Sequence, residues 1–288
     1  MTIVLREPGV DGLDQAVDVL REWQSEGLAF QVHPGDLGWL WRFGAQETAA
    51  GVRTWSRGGR TLALGLVDGA GMLRLTIAPD ARQDEELARQ LVADVTRPER
   101  GVLPEGKAAI EAPMEALFQD LLAEAGWHTD EPWTPLRRDL TEPVRDPGVR
   151  IEVTGPGQAH ERTAVHRAAF DSPSFTDERW HAMAGGLPYA DARCLVAYDA
   201  QGEAVAAVTV WSAGAGKPGL LEPVGVHPDH RGRGHGKAIT VAAAAALRDM
   251  GSSSALVCTP SENVAAVATY ESAGFRRLPE TRDRCRAA

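Results

Sequence analysis

The residues best equipped for chemistry lie in one stretch, Leu220–Met250. Leu220–Val226 reads as an apolar strand, and His227-Pro228-Asp229 ends it because proline cannot continue a ladder. Arg231-Gly232-Arg233-Gly234-His235-Gly236-Lys237 follows, then an alanine-rich segment of strong helix propensity closed by Gly251. Strand, glycine-rich turn and helix N-terminus together are a recipe for holding phosphate. Glycines let successive N–H groups point inward, and the helix start adds unpaired donors and a partial positive charge. Arg231 and Arg233 add full charges beside them, so a pyrophosphate is the natural guest.

Three familiar phosphate or nucleic-acid motifs fail here. Gly236-Lys237 is followed by Ala238 where a Walker loop needs Ser or Thr, and Arg231 stands where its first glycine belongs. The glycines run G-x-G-x-G, which is not the dinucleotide fingerprint. An Arg-Gly RNA-binding tract is usually disordered, whereas this one sits between a strand and a helix. The stretch resembles instead the R/Q-x-x-G-x-G/A motif of the GNAT acyltransferase superfamily, with Arg231, Gly234 and Gly236 in the specified places behind Val226-His227-Pro228-Asp229-His230. A second family block follows as Asn263, Ala266, Tyr270 and Gly274-Phe275 in SENVAAVATYESAGF, beyond the strand Ala255–Thr259. The resemblance covers about residues 150–288.

That resemblance implies acetyl-CoA as cosubstrate and transfer of its acetyl group to a primary amine of a small molecule or peptide by direct attack. It implies that backbone N–H groups of Val224 and Val226 hold the pantetheine arm, with Arg231, Gly232, Arg233, Gly234, His235, Gly236 and Lys237 around the pyrophosphate. Tyr270 matches the tyrosine that protonates the departing thiolate. Asn263 would hydrogen-bond the pantetheine amides or cap its helix. Glu222 is the carboxylate of the middle strand and stands near the family's general base, or anchors substrate. Pro223 has no N–H, so a bulge or an edge irregularity is expected there. An amine of lysine type is almost wholly ammonium at neutral pH, so a base is needed before attack. The acceptor pocket is expected from Phe170–Tyr189, which contains Trp180 and His181. His227, His230 and His235 suggest a metal cluster at first sight, but the two around the glycine loop are expected to face phosphate or solvent, with no metal, and Cys258 to lie in the core. A non-catalytic acyl-CoA sensor or interaction module is the competing class of function.

The elements that must position these residues occur twice. Pro79 and Pro228, each ending a middle strand, lie 149 residues apart, and Gly126-Trp127 and Gly274-Phe275, each ending a late helix, lie 148 apart. The fold class expected is α/β (a mixed α+β sheet), built as two tandem GNAT-like domains, each a mostly antiparallel mixed sheet flanked by helices. The boundary is placed near TEPVRDPGVR, giving 1–142 and 143–288, and the tandem layout resembles mycothiol-synthase-like acetyltransferases. In the first unit Arg82-Gln83-Asp84-Glu85-Glu86-Leu87 stands where the second has its glycine loop, and Leu122 stands where the second has Tyr270. Those acids would repel a phosphate, so the first unit is expected to keep the fold and lack a usable CoA site. Trp39 and Trp41 would line a substrate pocket, an interdomain face or the core.

Composition narrows the class further. The net charge of −10 falls wholly in residues 1–149, which hold 15 Lys+Arg against 25 Asp+Glu, while residues 150–288 hold 15 of each. An acidic chain argues against nucleic acid as partner; the acidic half would attract a cationic substrate or serve solubility. No run is long and apolar enough to span a membrane and Met1–Val10 has no signal-like core, so a cytoplasmic monomer or homodimer is expected. Three cysteines, Cys194, Cys258 and Cys285, suggest neither a disulfide framework nor a zinc site.

Overall fold

The computed structural model describes residues 2–28 and 31–287. In the first half β1 (Ile3–Arg6), α1 (Leu13–Trp23), α2 (Pro34–Leu40), α3 (Ala45–Gly51), β2 (Val52–Arg57), β3 (Arg60–Val67) and β4 (Met72–Ile77) lead to α4 (Glu85–Thr96), β5 (Ala108–Glu111), α5 (Leu117–Glu124) and β6 (His128–Asp139). The second half repeats the plan. It runs β7 (Arg150–Val153), α6 (Ala159–Phe170), α7 (Asp177–Ala184), β8 (Ala192–Tyr198), β9 (Ala204–Trp211), β10 (Pro218–Val226), α8 (His235–Asp249), β11 (Ser254–Pro260), α9 (Val264–Ser272), β12 (Arg276–Arg277) and β13 (Thr281–Arg286). The short helices α2 and α3 in HPGDLGWLW and its continuation were not anticipated, because glycine and proline mask the pattern. Pro34 sits in the first turn, and the His33 backbone N–H donates to Asp36 at 2.6 Å while Gly35 N–H donates to His33 Nδ1 at 2.9 Å, a capping box.

The strands form one continuous mixed sheet in the order β1-β2-β3-β4-β5-β13-β6-β11-β10-β9-β8-β7, with β12 pairing β6 from the side. Only β4–β5 and β10–β11 are parallel among the described pairs, one in each half. At the centre the halves exchange their last strands: β13 pairs with β5 of the first half, and β6 pairs with β11 of the second. Residues 128–139 of β6 lie about 148 positions before β12 and β13, so equivalent segments of the repeat have changed places. β6 begins at His128 because its first residues pair with β13, a partner from the far end of the chain.

Two tryptophans lock the halves across the sheet. Trp211, 1% exposed, lies on the glycine face of α2, where a Cβ at Gly38 would meet its ring at 2.3 Å and one at Gly35 at 2.5 Å. Trp41 sits in the same way on Gly186, where a Cβ would lie 2.5 Å from its ring. Trp41 is therefore part of the face between the halves, and Trp39 beside it packs on His166 and Phe175 of the second half at 5.4 and 5.0 Å between ring centroids. Polar ties close the same seam. Lys217 Nζ donates to the Glu22 and Gln24 carbonyls at 3.1 and 2.9 Å, Arg137 pairs with Glu26 at 2.7 Å, and His33 Nε2 meets the Pro218 carbonyl at 3.2 Å.

Candidate active site

The edge of β10 is where the site begins. β10 pairs with β11 only through Pro218, Gly219 and Leu220, and beyond them the two parallel strands part. On its other side β10 stays bonded to β9 as far as Val226, and the His227 N–H donates to the Val205 carbonyl at 2.9 Å. Backbone groups alternate sides along a strand, so the N–H groups of Val224 and Val226 point to the edge that β11 has left. The register slips by one residue between Leu221 and Val224, a bulge at the expected Pro223.

At the end of that edge lies a cavity of about 690 Å³. Its walls include Val224 and Val226 from β10; Arg231, Gly232, Gly234, Gly236 and Lys237 from the loop and α8; and Asn263 and Tyr270 from α9. Gly232 and Gly234 adopt φ of 74° and 87°, the left-handed region that glycine tolerates. Gly234 caps α8 with no side chain, leaving its first N–H groups open to a guest. Gly236 is required by contact, since a Cβ there would lie 3.0 Å from Thr269 and 3.4 Å from Val226. These features suit a pyrophosphate with an extended arm running along β10.

Several expected residues behave differently. Arg233 and His235 do not line the cavity. Arg231 lines it, yet its guanidinium is turned back onto the Ala169 and Val226 carbonyls at 3.0 and 3.3 Å, tying the loop to the end of α6. Asn263 Oδ1 accepts from Ala266 N–H at 3.2 Å, so it caps α9 while forming part of the wall. His230 faces neither phosphate nor solvent: it is clasped between Asp199 and Glu203, each 3.7 Å from one ring nitrogen, with ligand-type atoms of all three within 4.8 Å. Carboxylates from the β8–β9 turn, distant in sequence, made that contact invisible beforehand. Phe170 and Gly225 line the cavity and were not singled out. Gly225 had a signal, a glycine inside a strand, and the structure gives its reason: a Cβ would lie 2.7 Å from Ala169.

Tyr270 is 7% exposed, reaches the cavity, and its hydroxyl makes no hydrogen bond among the described residues. Burial pushes its phenol well above the ordinary range, with Cys258 and Glu222 adding to the shift, so it holds its proton. Cys258 is open to solvent rather than in the core, because β11 turns it toward the parting of the strands. It is nevertheless recessed, and crowding, with Glu111 and Glu222 adding, raises its thiol to about 12.

Glu222 lies outside this cavity, in a narrow chamber of about 10 Å³ between the halves, room for about one water, lined by Asp36, Trp39, Leu40, Leu66, Asp68 and Arg74. Arg74 is its central cation, 3.2 Å from Asp36 and 3.6 Å from both Asp68 and Glu111. Burial lifts Asp36 to about 7, with Glu222 adding and Arg74 opposing. Burial also lifts Glu111 to about 8, against the pull of Arg74. Arg74 itself is held charged, since the four carboxylates outweigh its burial. A carboxylate-rich chamber beside a buried phenol suits a group that arrives as ammonium and must lose a proton. Trp180, expected near the acceptor, is instead core, 2% exposed; the wall facing β10 runs through Phe170 and His166, whose rings lie 4.6 Å apart.

Comparison with known proteins agrees with this geometry. The acetyltransferase (GNAT) family pattern matches residues 160–275. A mycothiol acetyltransferase of Arthrobacter sp. (strain FB24) is 30% identical over 73% of this chain and 68% of its own. One from Thermobispora bispora is 35% identical over 49% of this chain, a match spanning about half, 52%, of that relative's length. A tandem GNAT protein from the clavulanic acid biosynthesis pathway superposes with a TM-score of 0.61 over 99% of this chain and 98% of its own, at 16% identity, which is likeness of fold. No helix among the described residues is long and apolar enough to cross a membrane. With the glycine loop, the parted strands and the buried tyrosine in one cavity, the chain belongs to the acetyltransferase (GNAT) family.

Proposed function

We propose that this protein transfers an acetyl group from acetyl-CoA to the primary amine of a small molecule or peptide by direct attack. The observation that carries the reading is the free edge of β10, which joins an open helix N-terminus at one end to Tyr270 and Glu222 at the other. The loop from Gly232 to Lys237 would take the pyrophosphate and the N–H groups of Val224 and Val226 the pantetheine arm. Bound there, acetyl-CoA supplies an activated thioester carbonyl. Glu222 accepts the proton of the incoming ammonium, directly or through water. The amine nitrogen then forms a bond to the acetyl carbon, the carbon–sulfur bond breaks, Tyr270 donates its proton to the thiolate, and the proton that the new amide nitrogen sheds restores the phenol. Relatives named mycothiol acetyltransferases support an amine acceptor.

The cosubstrate site belongs to the second half alone. In the first half Asp84 occupies the start of α4, accepting from Leu87 N–H at 2.9 Å and pairing with Arg57 at 2.7 Å, so a carboxylate fills the place of the phosphate. Leu122, in the position of Tyr270, is fully buried. The first half, residues 1–142, contributes the acidic chamber instead, and residues 143–288 the catalytic cavity. Calorimetric titration with acetyl-CoA tests both points: one site per chain is expected, lost in Gly234→Asp. Two sites would overturn the reading of the first half, and no binding would overturn the enzyme.

A further inference from the structure

Arg42 and Arg179 carry guanidinium groups for which neither the chamber nor the cosubstrate cavity has a use. Arg42 follows α2 in the first half, and Arg179 lies on α7 in the second. Both stand against one ring: Arg42 is 4.2 Å from the centroid of Phe43 and Arg179 is 4.9 Å from it. Arg42 also lies 4.2 Å over Trp39 and gives one N–H to the Trp39 carbonyl at 2.6 Å. Neither arginine forms an ion pair among the described residues, although most arginines of the first half do. The side chain of Arg179 makes no hydrogen bond among them either. Phe43 is 43% exposed. Burial lowers Arg42 to about 10, with Asp68 opposing and Arg179 adding.

Their place is the telling point. Arg42 and Phe43 line a cavity of about 430 Å³ that shares Leu40 and Asp68 with the chamber holding Glu222. A continuous wall of rings leads there from the cosubstrate cavity: Phe170, then His166, then Trp39, then Arg42. Carboxylates thus gather at the inner end of the path, around Glu222, and two guanidiniums without carboxylate partners among the described residues stand at its outer end. Glu47 and Asp68 line the outer cavity as well, so it is not a general sink for anions. What the two guanidiniums beside Phe43 are left to meet is an acidic group of a ligand, the partner guanidinium recognises best.

The geometry points to an acceptor that is an amine bearing an acidic group, carboxylate or phosphate, with Arg42 and Arg179 binding that group while the amine is directed toward Glu222. This rests on the proposed acetyl transfer. It makes the acceptor a zwitterion and turns the seam between the halves into the measure of its length.

The test uses matched series of amines: ω-amino acids of graded chain length, their neutral amides, aminoalkyl phosphates and diamines of the same lengths. Initial rates of CoA release with acetyl-CoA give kcat/KM, and calorimetry of the same compounds on the full chain with CoA present gives binding independent of turnover. At one chain length an acid-bearing amine is expected to exceed its amide by about tenfold or more in both measurements. Arg179→Ala should bring that ratio close to one and leave the amide unchanged, while Arg179→Lys retains part of it. Arg42→Ala should act in the same direction; because Arg42 also bonds to Trp39, its melting temperature is measured beside the wild type, and Arg179→Ala decides if it fails to fold. The carboxylate and phosphate series identify which acid is preferred. Amides performing as well as acids, diamines outperforming both, or Arg179→Ala lowering every class equally would overturn the inference. If no amine is acetylated, the proposed transfer fails; the arginine site then stands or falls on whether acids bind to the wild type and lose that binding in Arg179→Ala.

Discussion

In the proposed transfer Tyr270 is the proton donor and Glu222 the proton acceptor, and their surroundings differ in a way that suits the division. The phenol is buried at the wall of the proposed cosubstrate cavity and kept protonated, while Glu222 lies in a chamber shared with three other acidic or basic groups, Asp36, Asp68 and Arg74. Tyr270→Phe should lower kcat by about 10²-fold or more and leave acetyl-CoA affinity within about twofold; equal losses in both would make Tyr270 a packing residue. Glu222→Gln should lower kcat by a similar factor, with less loss as pH rises and the amine deprotonates unaided. His33 bears on stability instead. Burial drops its imidazole to about 4, despite the Pro218 carbonyl, so the unfolded chain takes up a proton first. Its stabilisation is complete above pH ~6.5 and is lost as pH falls toward 4, about 3 kcal/mol in all. Asp36 and Glu111 act in the opposite sense, favouring the fold at low pH and losing that contribution as pH rises through about 7 and 8. Urea denaturation of His33→Asn across pH 4–7 should show a flatter acid limb than the wild type; an unchanged slope would remove His33 from the account.

Among the elements, α8 and α2 show two uses of glycine. At the start of α8 the missing side chains leave donors free and bring the helix against Thr269 and Val226, which is what the proposed phosphate site needs. The loss of acetyl-CoA binding expected in Gly234→Asp follows from a carboxylate entering the place of a phosphate, as Asp84 does in α4. On α2 the glycines make room for a ring. Gly38→Ala would place a methyl 2.3 Å from Trp211, and overpacking of this kind costs roughly 1–3 kcal/mol. Since the same contact aligns Trp39 and Asp36 with Glu222, the variant is expected to raise KM for the acceptor more than for acetyl-CoA. A melting temperature equal to the wild type would show that the two halves are not seated on each other there.

For the molecule as a whole, the exchange of β6 and β13 has the largest consequence. A chain divided in the loop at 143–149 yields one fragment with β5 unpaired on its outer side and another with β11 in the same state. Unpaired edges invite aggregation. Each fragment alone is expected to be insoluble or associated, and the two co-expressed should form a soluble one-to-one complex that binds acetyl-CoA. Size-exclusion chromatography with calorimetry reads this directly, and a monomeric, acetyl-CoA-binding fragment 143–288 would contradict it. The acidic excess of the first half also acquires a place: Asp36, Asp68 and Glu111 are part of it, and they face Glu222 from across the seam.

What the chain declared unaided was local and periodic. Glycines, prolines and apolar runs mark the strand–loop–helix of the phosphate site, the repeat at 148–149 residues, and the loss of that loop in the first copy, because turn chemistry and helix starts depend on neighbours a few residues apart. That Arg231, Gly234, Gly236, Asn263 and Tyr270 belong together, as they do in the walls of one cavity, was legible for that reason. Pairings over long separations were not: nothing in HTDEPWTP announces that it joins a strand 150 residues away, or that His230 meets Asp199 and Glu203. Arg74 and Asp36 become neighbours of Glu222, and Arg42 of Arg179, only when the two halves meet. Periodicity reports which face of an element is buried, but it is tertiary packing that decides which other face lies opposite.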